Sequence, residues 1–302
     1  MKAAAIDLGT NAFRFLIRDL NDKNNYGYKS RYVVGLGKYL NDNSYLVLPK
    51  LYYETLDMIF SDIYKNNVDK IHIVGTSVFR EALNKEEIVD NFKARYNQNL
   101  NIISSKTEAE LTSLGTNSLR VESASNKIIV DIGGGSTEII LTLDDKFVDY
   151  VSLDLGVIKL LKIFKETNIF SNDKIIDIKN YIKSILSKID LCEYIKNDTQ
   201  VIFNSGTPTT LAAISMNLIK YDPEKINGSR LSNKITHKIF EKLCNKTSKD
   251  RLEINGIEKG REEVIVYGVL ILLEILEYFK IDHYFVSDLG VLEGIFEKYI
   301  EI

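Results

Sequence analysis

Proline, cysteine and histidine are scarce in this chain of 302 residues, which carries three, two and three of them. With so few prolines and no low-complexity run, no extended flexible linker is written into the sequence, so a boundary between domains should be a compact hinge. Cys192 and Cys244 lack C-x-x-C spacing and have no histidine cluster nearby; they read as reduced, buried thiols of a cytosolic protein. His72, His237 and His283 are far from one another, two of them on strand patterns, so they read as structural and support neither a zinc site nor a phosphohistidine route. A long apolar run is also missing. The most apolar tract, Val264–Leu273, ends at Glu274 and has about half the length needed to span a bilayer, which makes it a buried helix. Charge of one sign is absent too: 39 basic against 42 acidic residues leave a net −3, so no global field draws in nucleic acid and a polyanion must be met by a local basic patch. Only Lys2 precedes the first strand pattern, so no secretory leader is expected.

What the chain does have is a glycine turn framed by β-branched runs. Lys127–Leu141 reads KIIVDIGGGSTEIIL. An apolar run ends in Asp131, Gly133, Gly134 and Gly135 turn the backbone, and Ser136 and Thr137 lead into a second apolar run. Short β-branched runs on either side predict strand–turn–strand. A carboxylate at the end of a buried strand, followed by bare N–H groups, suits a phosphate and its Mg²⁺. Glycine lets the chain come close, the N–H groups donate to the anion, and the acid holds the hydrated metal. A hairpin with no ligand uses glycine as well, so the motif alone leaves both readings open.

A second copy shifts the balance towards a ligand. Ala3–Ile17, AAAIDLGTNAFRFLI, has the same order: an apolar run, Asp7, Gly9, the small polar residues Thr10 and Asn11, then Phe13, Phe15, Leu16 and Ile17. The two aspartates lie 124 positions apart. That is too far for a short solenoid repeat and suits two related halves, each offering a phosphate loop to a shared cleft. Chain length and ordinary composition allow two soluble domains, each with its own core.

Strands and helices alternate between and after these motifs. Residues 1–20 predict a hairpin, Arg31–Val34 a strand, Leu51–Lys65 a helix, and Lys70–Val74 a strand ending in Gly75-Thr76-Ser77. A helix follows from Phe79, then a strand over Asn99–Ser104 and a helix from Thr107, whose capping box pairs Thr107 with Glu110. The second half partly repeats this pattern. Phe147–Leu153 is a strand, Gly156–Phe164 a helix, and Ile175, Ile178, Ile182, Ile185 and Ile189 mark an amphipathic helix capped by Ser171 or Asn172. Strand Gln200–Phe203, helix Thr209–Leu218, a helix from Ile265 to Phe279, strand His283–Ser287 and a closing helix Val291–Tyr299 complete an α/β pattern.

Asp7-Leu8-Gly9-Thr10-Asn11, Gly75-Thr76-Ser77 with Arg80-Glu81-Ala82, Ile103-Ser104 with Glu108-Ala109, Asp131 through Glu138, Gly206-Thr207, and Ser287-Asp288 with Gly290, Glu293 and Gly294 follow one another in a family's order and spacing. Together they resemble the exopolyphosphatase/guanosine pentaphosphate phosphohydrolase (Ppx/GppA) family, in its short two-domain form. The resemblance implies a duplicated ribonuclease-H-like (actin-like ATPase) fold of α/β class, with the active site in an interdomain cleft. It also implies hydrolysis of the terminal phosphoanhydride of inorganic polyphosphate, or of the 5′ phosphate of pppGpp, with Mg²⁺ or another divalent cation. The expected domains are 1–120 and 121–302, with the last helix, about 291–302, free to pack back on the first.

The resemblance places Glu108 at the family's catalytic glutamate, a base that orients and deprotonates a water in line with the P–O bond to be broken. It places Arg80 at an arginine facing the cleft, suited to bidentate phosphate binding. Read alone, Glu108 also suits a first helical turn, and Arg80 could pair with Glu81 or Glu86. Asp7 and Asp131 are the expected metal acids, against a reading as turn caps. Glu138 is either a further metal acid or the polar face of a hairpin. Thr10, Asn11, Gly133, Gly134, Gly135 and Ser136 should donate to phosphate oxygens. Gly206 and Thr207 open a helix whose N-terminus suits phosphate, and Arg261 contacts the phosphate chain or makes a surface ion pair with Glu262 or Glu263.

The sequence departs from the family pattern at Ala12, Ser105, Thr107, Glu110, Ser205, Pro208, Leu289 and Leu292. Arginines are common in that family at the positions of Glu110, Leu289 and Leu292, so the chain has less positive charge with which to grip a long polymer. Neither nucleic acid nor membrane is an expected partner, the expected location is cytoplasmic, and a homodimer is left open. Two rival classes stand: a sugar or acyl kinase, which needs an adenosine pocket and an acceptor site, and a nucleotide or ppGpp sensor that keeps the loops without turnover.

Overall fold

The computed structural model describes residues 1–22, 27–119, 121, 124–189 and 199–300. Cys192 lies outside them; Cys244 is buried, and burial pushes its thiol pKa up. The chain divides into two compact units, Met1–Gly115 with Val291–Ile302, and Thr116–Gly290.

The first unit is built on a sheet ordered β3-β2-β1-β4-β5, made of β1 (Lys2–Leu8), β2 (Ala12–Asp19), β3 (Tyr28–Val33), β4 (Lys70–Gly75) and β5 (Asn101–Ile102). β1 is central, and its side chains alternate between two cores. Ala4, Ile6 and Leu8 join Phe13, Phe15 and the buried stripe of helix Lys50–Lys65. Ala3 and Ala5 join Leu16, Leu111, Ile295 and Phe296 on the other face. That second face is covered by helix Ser105–Thr116 and the closing segment. Gly294 lies so close to Leu111 that any Cβ there would overlap the Leu111 carbonyl.

The second unit has six strands ordered β10-β11-β9-β6-β7-β8: β6 (Asn126–Ile132), β7 (Thr137–Leu143), β8 (Lys146–Leu153), β9 (Gln200–Asn204), β10 (Arg230–Ser232) and β11 (His283–Ser287). Without edge strand β10, both sheets have the same strand order and the same directions, two antiparallel ladders followed by two parallel ones. This is the ribonuclease-H-like layout that the family resemblance implied, in the two related halves that the repeated motif implied. Helix Ile265–Tyr278 forms the centre of the larger core and contains the apolar tract read as a buried helix. Its Glu274 is buried and ion-paired with Lys179 at 3.1 Å and Lys183 at 3.5 Å. Among the described residues, no helix is long and apolar enough to cross a membrane.

Several boundaries differ from the sequence reading. Helix Ser105–Thr116 starts two residues before Thr107. Ser104 is its cap, accepting the Thr107 N–H at 3.1 Å, and Glu110 pairs with Lys298 at 2.7 Å instead of closing a capping box. The strand expected over 99–104 contracts to the two residues of β5. The closing helix is α-helical over Val291–Ile295 and continues as a π-helix over Phe296–Ile300. His72 stacks on Tyr299 with ring centroids 4.4 Å apart, a packing role. Leu292, read as a lost positive charge, is a core residue.

Candidate active site

In the first unit, strand pairing sets Asp7 directly opposite Arg14. Asp7 is 2% exposed, and Arg14 donates to its Oδ2 from Nε at 2.9 Å and from Nη2 at 2.5 Å. Asp7 Oδ1 is buried and accepts no hydrogen bond among the described residues; an orphaned oxygen of this kind suits a hydrated cation or an ordered water. The turn that follows is closed by the Gly9 N–H donating to the Ala12 carbonyl at 3.0 Å. The Asn11 carbonyl accepts from Val34 and Gly35, fastening this loop to the end of β3. Thr10 is buried, and its Oγ1 accepts the Val78 N–H at 3.2 Å, so it satisfies an orphan donor of the short helix Ser77–Glu81.

That short helix carries Arg80. Its Nη1 donates to Glu108 Oε2 at 2.6 Å and to the Ile103 carbonyl at 3.1 Å. The two residues read as catalytic therefore meet, and Arg80 pairs with neither Glu81 nor Glu86. Both side chains stay within reach of solvent, at 22% and 12% exposure. A charge-assisted bond of this length fixes the direction of the carboxylate.

The second unit repeats the turn. The Gly133 N–H donates to the Ser136 carbonyl at 2.9 Å. The carbonyls of Gly133 and Gly134 accept from Val157 and Ile158, the first residues of helix Val157–Phe164. Because each peptide is planar and trans, the N–H groups of Gly134 and Gly135 point away from that helix, an arrangement that suits an anion. Gly156 holds the loop in place, since any Cβ there would overlap the Gly134 carbonyl. Asp131 faces Glu138 across β6 and β7. They are 7% and 2% exposed, so Glu138 is not the polar face of a hairpin. Ser152 Oγ donates to Glu138 Oε1 at 2.8 Å. Carboxylates directly opposite each other repel, and a divalent cation bound there would offset that repulsion. No group of three or more His, Cys, Asp or Glu side chains is arranged for a metal among the described residues. Two carboxylates with retained waters and phosphate oxygens are the shell Mg²⁺ accepts.

Helix Gly206–Ser215 opens beside β6, and Arg261 lies over its first residue, since a Cβ on Gly206 would overlap the guanidinium. Arg261 is 8% exposed, with Glu258 Oε2 at 3.5 Å from its Nε. A guanidinium at the positive end of a helix makes a place for an anion. The Thr207 side chain presses against Gly268, so what it offers an anion is its N–H. Arg251, fully buried, donates to the carbonyls of Leu243, Thr167, Asn168 and Glu262, fixing the backbone next to Arg261. The sequence reading passed over Arg14 and Arg251. Arg14 had a signal: it follows Asp7 by seven residues, as Glu138 follows Asp131.

The fold defines a protein of the duplicated ribonuclease-H-like, actin-like ATPase class. Comparison with known proteins is more specific: the model of the Ppx/GppA phosphatase family matches residues 51–301, and the chain belongs to that family. A Fusobacterium nucleatum protein named bifunctional 3-dehydroquinate synthase/phosphatase is 30% identical over 98% of this chain, which spans 47% of that protein's length. A Haemophilus influenzae protein provisionally named exopolyphosphatase is also 30% identical, over 97% of this chain and 89% of its own. The crystal structure of an exopolyphosphatase from Cytophaga hutchinsonii is 25% identical, with a TM-score of 0.87 over 100% of this chain and 98% of that one.

Proposed function

We propose that this protein is an exopolyphosphatase, hydrolysing the terminal phosphoanhydride of inorganic polyphosphate with Mg²⁺ and releasing orthophosphate. The observation that carries the reading is the aimed Arg80–Glu108 pair in a member of the Ppx/GppA family. Glu108 orients a water and takes its proton as the water oxygen attacks the terminal phosphorus. The P–O bond to the rest of the chain breaks, and the shortened polyphosphate leaves with the bond's electrons. Gly133, Gly134, Gly135 and Ser136, the N-terminus of the helix at Gly206 and Thr207, and Arg261 neutralise charge on the phosphate oxygens. Thr10 and Asn11 serve the first loop in the same way. Asp131 and Glu138 would hold Mg²⁺, which supplies further charge neutralisation when bound. Asp7 would hold the cation through its Oδ1, while its Oδ2 positions Arg14 as a further phosphate-binding cation.

A second reading, removal of the 5′ phosphate of pppGpp to give ppGpp, uses the same groups. Comparing kcat/KM on polyphosphates of several lengths with that on pppGpp separates the two. Higher values on polyphosphate are the expected result. A clear preference for pppGpp would favour the second reading, and ATP-dependent transfer to an acceptor without phosphate release would overturn both.

A further inference from the structure

β9 passes into helix Gly206–Ser215 through a single residue, Ser205, whose backbone asks for glycine. Its φ of 84° and ψ of −164° fall in a region that is essentially glycine's own. Three contacts hold it there. Its N–H donates to Asn204 Oδ1 at 2.6 Å, its carbonyl accepts from Thr209 Oγ1 at 2.9 Å, and its Oγ donates to the Ile132 carbonyl at 3.0 Å. The last bond has the most consequence. Ile132 is the final residue of β6 and leads straight into the turn that Gly133 closes on Ser136. The hydroxyl of Ser205 thus fastens the glycine loop after β6 to the helix start after β9. The first unit ties its equivalent loops with the same direction of donation but with the side chain on the other loop, Thr10 Oγ1 accepting from Val78 N–H.

We propose that Ser205 is a positioning residue. By clamping the Ile132 carbonyl, it holds the N–H groups of Gly134 and Gly135 in register with the N-terminus of helix Gly206–Ser215, so that both address one phosphate group. A glycine would sit there without strain but could not make the clamp, which explains why a strained serine occupies the turn. The kinetic consequence rests on the phosphohydrolase reading; the clamp itself does not.

The test compares the wild-type protein with Ser205→Gly and Ser205→Ala. Hydrogen exchange is followed by mass spectrometry in peptides covering residues 129–140 without ligand, and phosphate release is measured from inorganic tripolyphosphate with Mg²⁺. Faster exchange over Gly133–Ser136 is expected in both variants, by about fivefold, the worth of one hydrogen bond. Both should raise KM for tripolyphosphate several-fold and change kcat less, while only Ser205→Ala, which keeps the strain and loses the clamp, melts below the wild type. Unchanged exchange in both variants overturns the clamp, and faster exchange with unchanged KM overturns its positioning role. A wild-type protein that releases no phosphate refutes the hydrolase reading, and the exchange comparison still decides the clamp.

Discussion

Replacing Glu108 by Gln separates chemistry from architecture, because the structure assigns different magnitudes to the two. The carboxylate accepts a 2.6 Å bond from Arg80, and Arg80 keeps a second acceptor in the Ile103 carbonyl. The pair is partly exposed, so solvent screens it and full buried-pair values do not apply. Truncation to Ala, which leaves a half-satisfied guanidinium, should cost about 1–2 kcal/mol. Glutamine offers an amide oxygen to the same donor and should cost less than about 1 kcal/mol, or roughly 2–4 °C in melting temperature. The amide cannot take a proton from water, so turnover should fall by about 10²–10⁴. The assay is orthophosphate release from polyphosphate with Mg²⁺, run beside thermal melts of wild type, Glu108→Gln and Glu108→Ala. A Glu108→Gln protein that melts like the wild type and keeps more than about a tenth of its turnover would refute the general-base role.

Gly206→Ala should push the Arg261 guanidinium off the helix N-terminus, because the overlapping atoms are the far end of a flexible side chain. Stability should change by less than about 1 kcal/mol while KM for polyphosphate rises about tenfold, the worth of one charge-assisted contact; an unaltered KM would remove Arg261 from phosphate binding. His72 gives a pH dependence with a defined sign. Burial holds its pKa below the ordinary 6.5, so on acidification the unfolded chain takes up the proton first, and stability is full above that pH and falls as pH drops through the folded value. Melting temperature should therefore decline from about pH 6.5 downwards in the wild type and less steeply in His72→Phe, which keeps a ring against Tyr299. Equal slopes would show that another group controls acid sensitivity.

Features set by local chemistry were legible in the sequence. The two hairpins follow from short apolar runs around glycine turns, and their repetition foretold two related halves. Ser171 caps its helix as read, accepting from the Lys174 N–H. At the other helix two hydroxyls competed, and Ser104 took the cap expected of Thr107 because its own carbonyl and side chain both reach the first turn. What depends on partners distant in sequence was hidden. Arg80 and Glu108 are 28 residues apart, and family resemblance rather than pattern brought them together. Arg251 satisfies a buried charge with backbone carbonyls, which no side-chain pattern records. Ser205 looks like an ordinary loop residue until its φ is known, and Leu292 looked like a missing charge until its burial showed an apolar packing position.

The most direct test of the account is a time course of orthophosphate release from inorganic polyphosphate and from pppGpp by the purified protein. Steady release with Mg²⁺ that stops on chelation and resumes when the metal is restored is the expected result. No release from either substrate above a protein-free control, at any Mg²⁺ concentration tried, would contradict it.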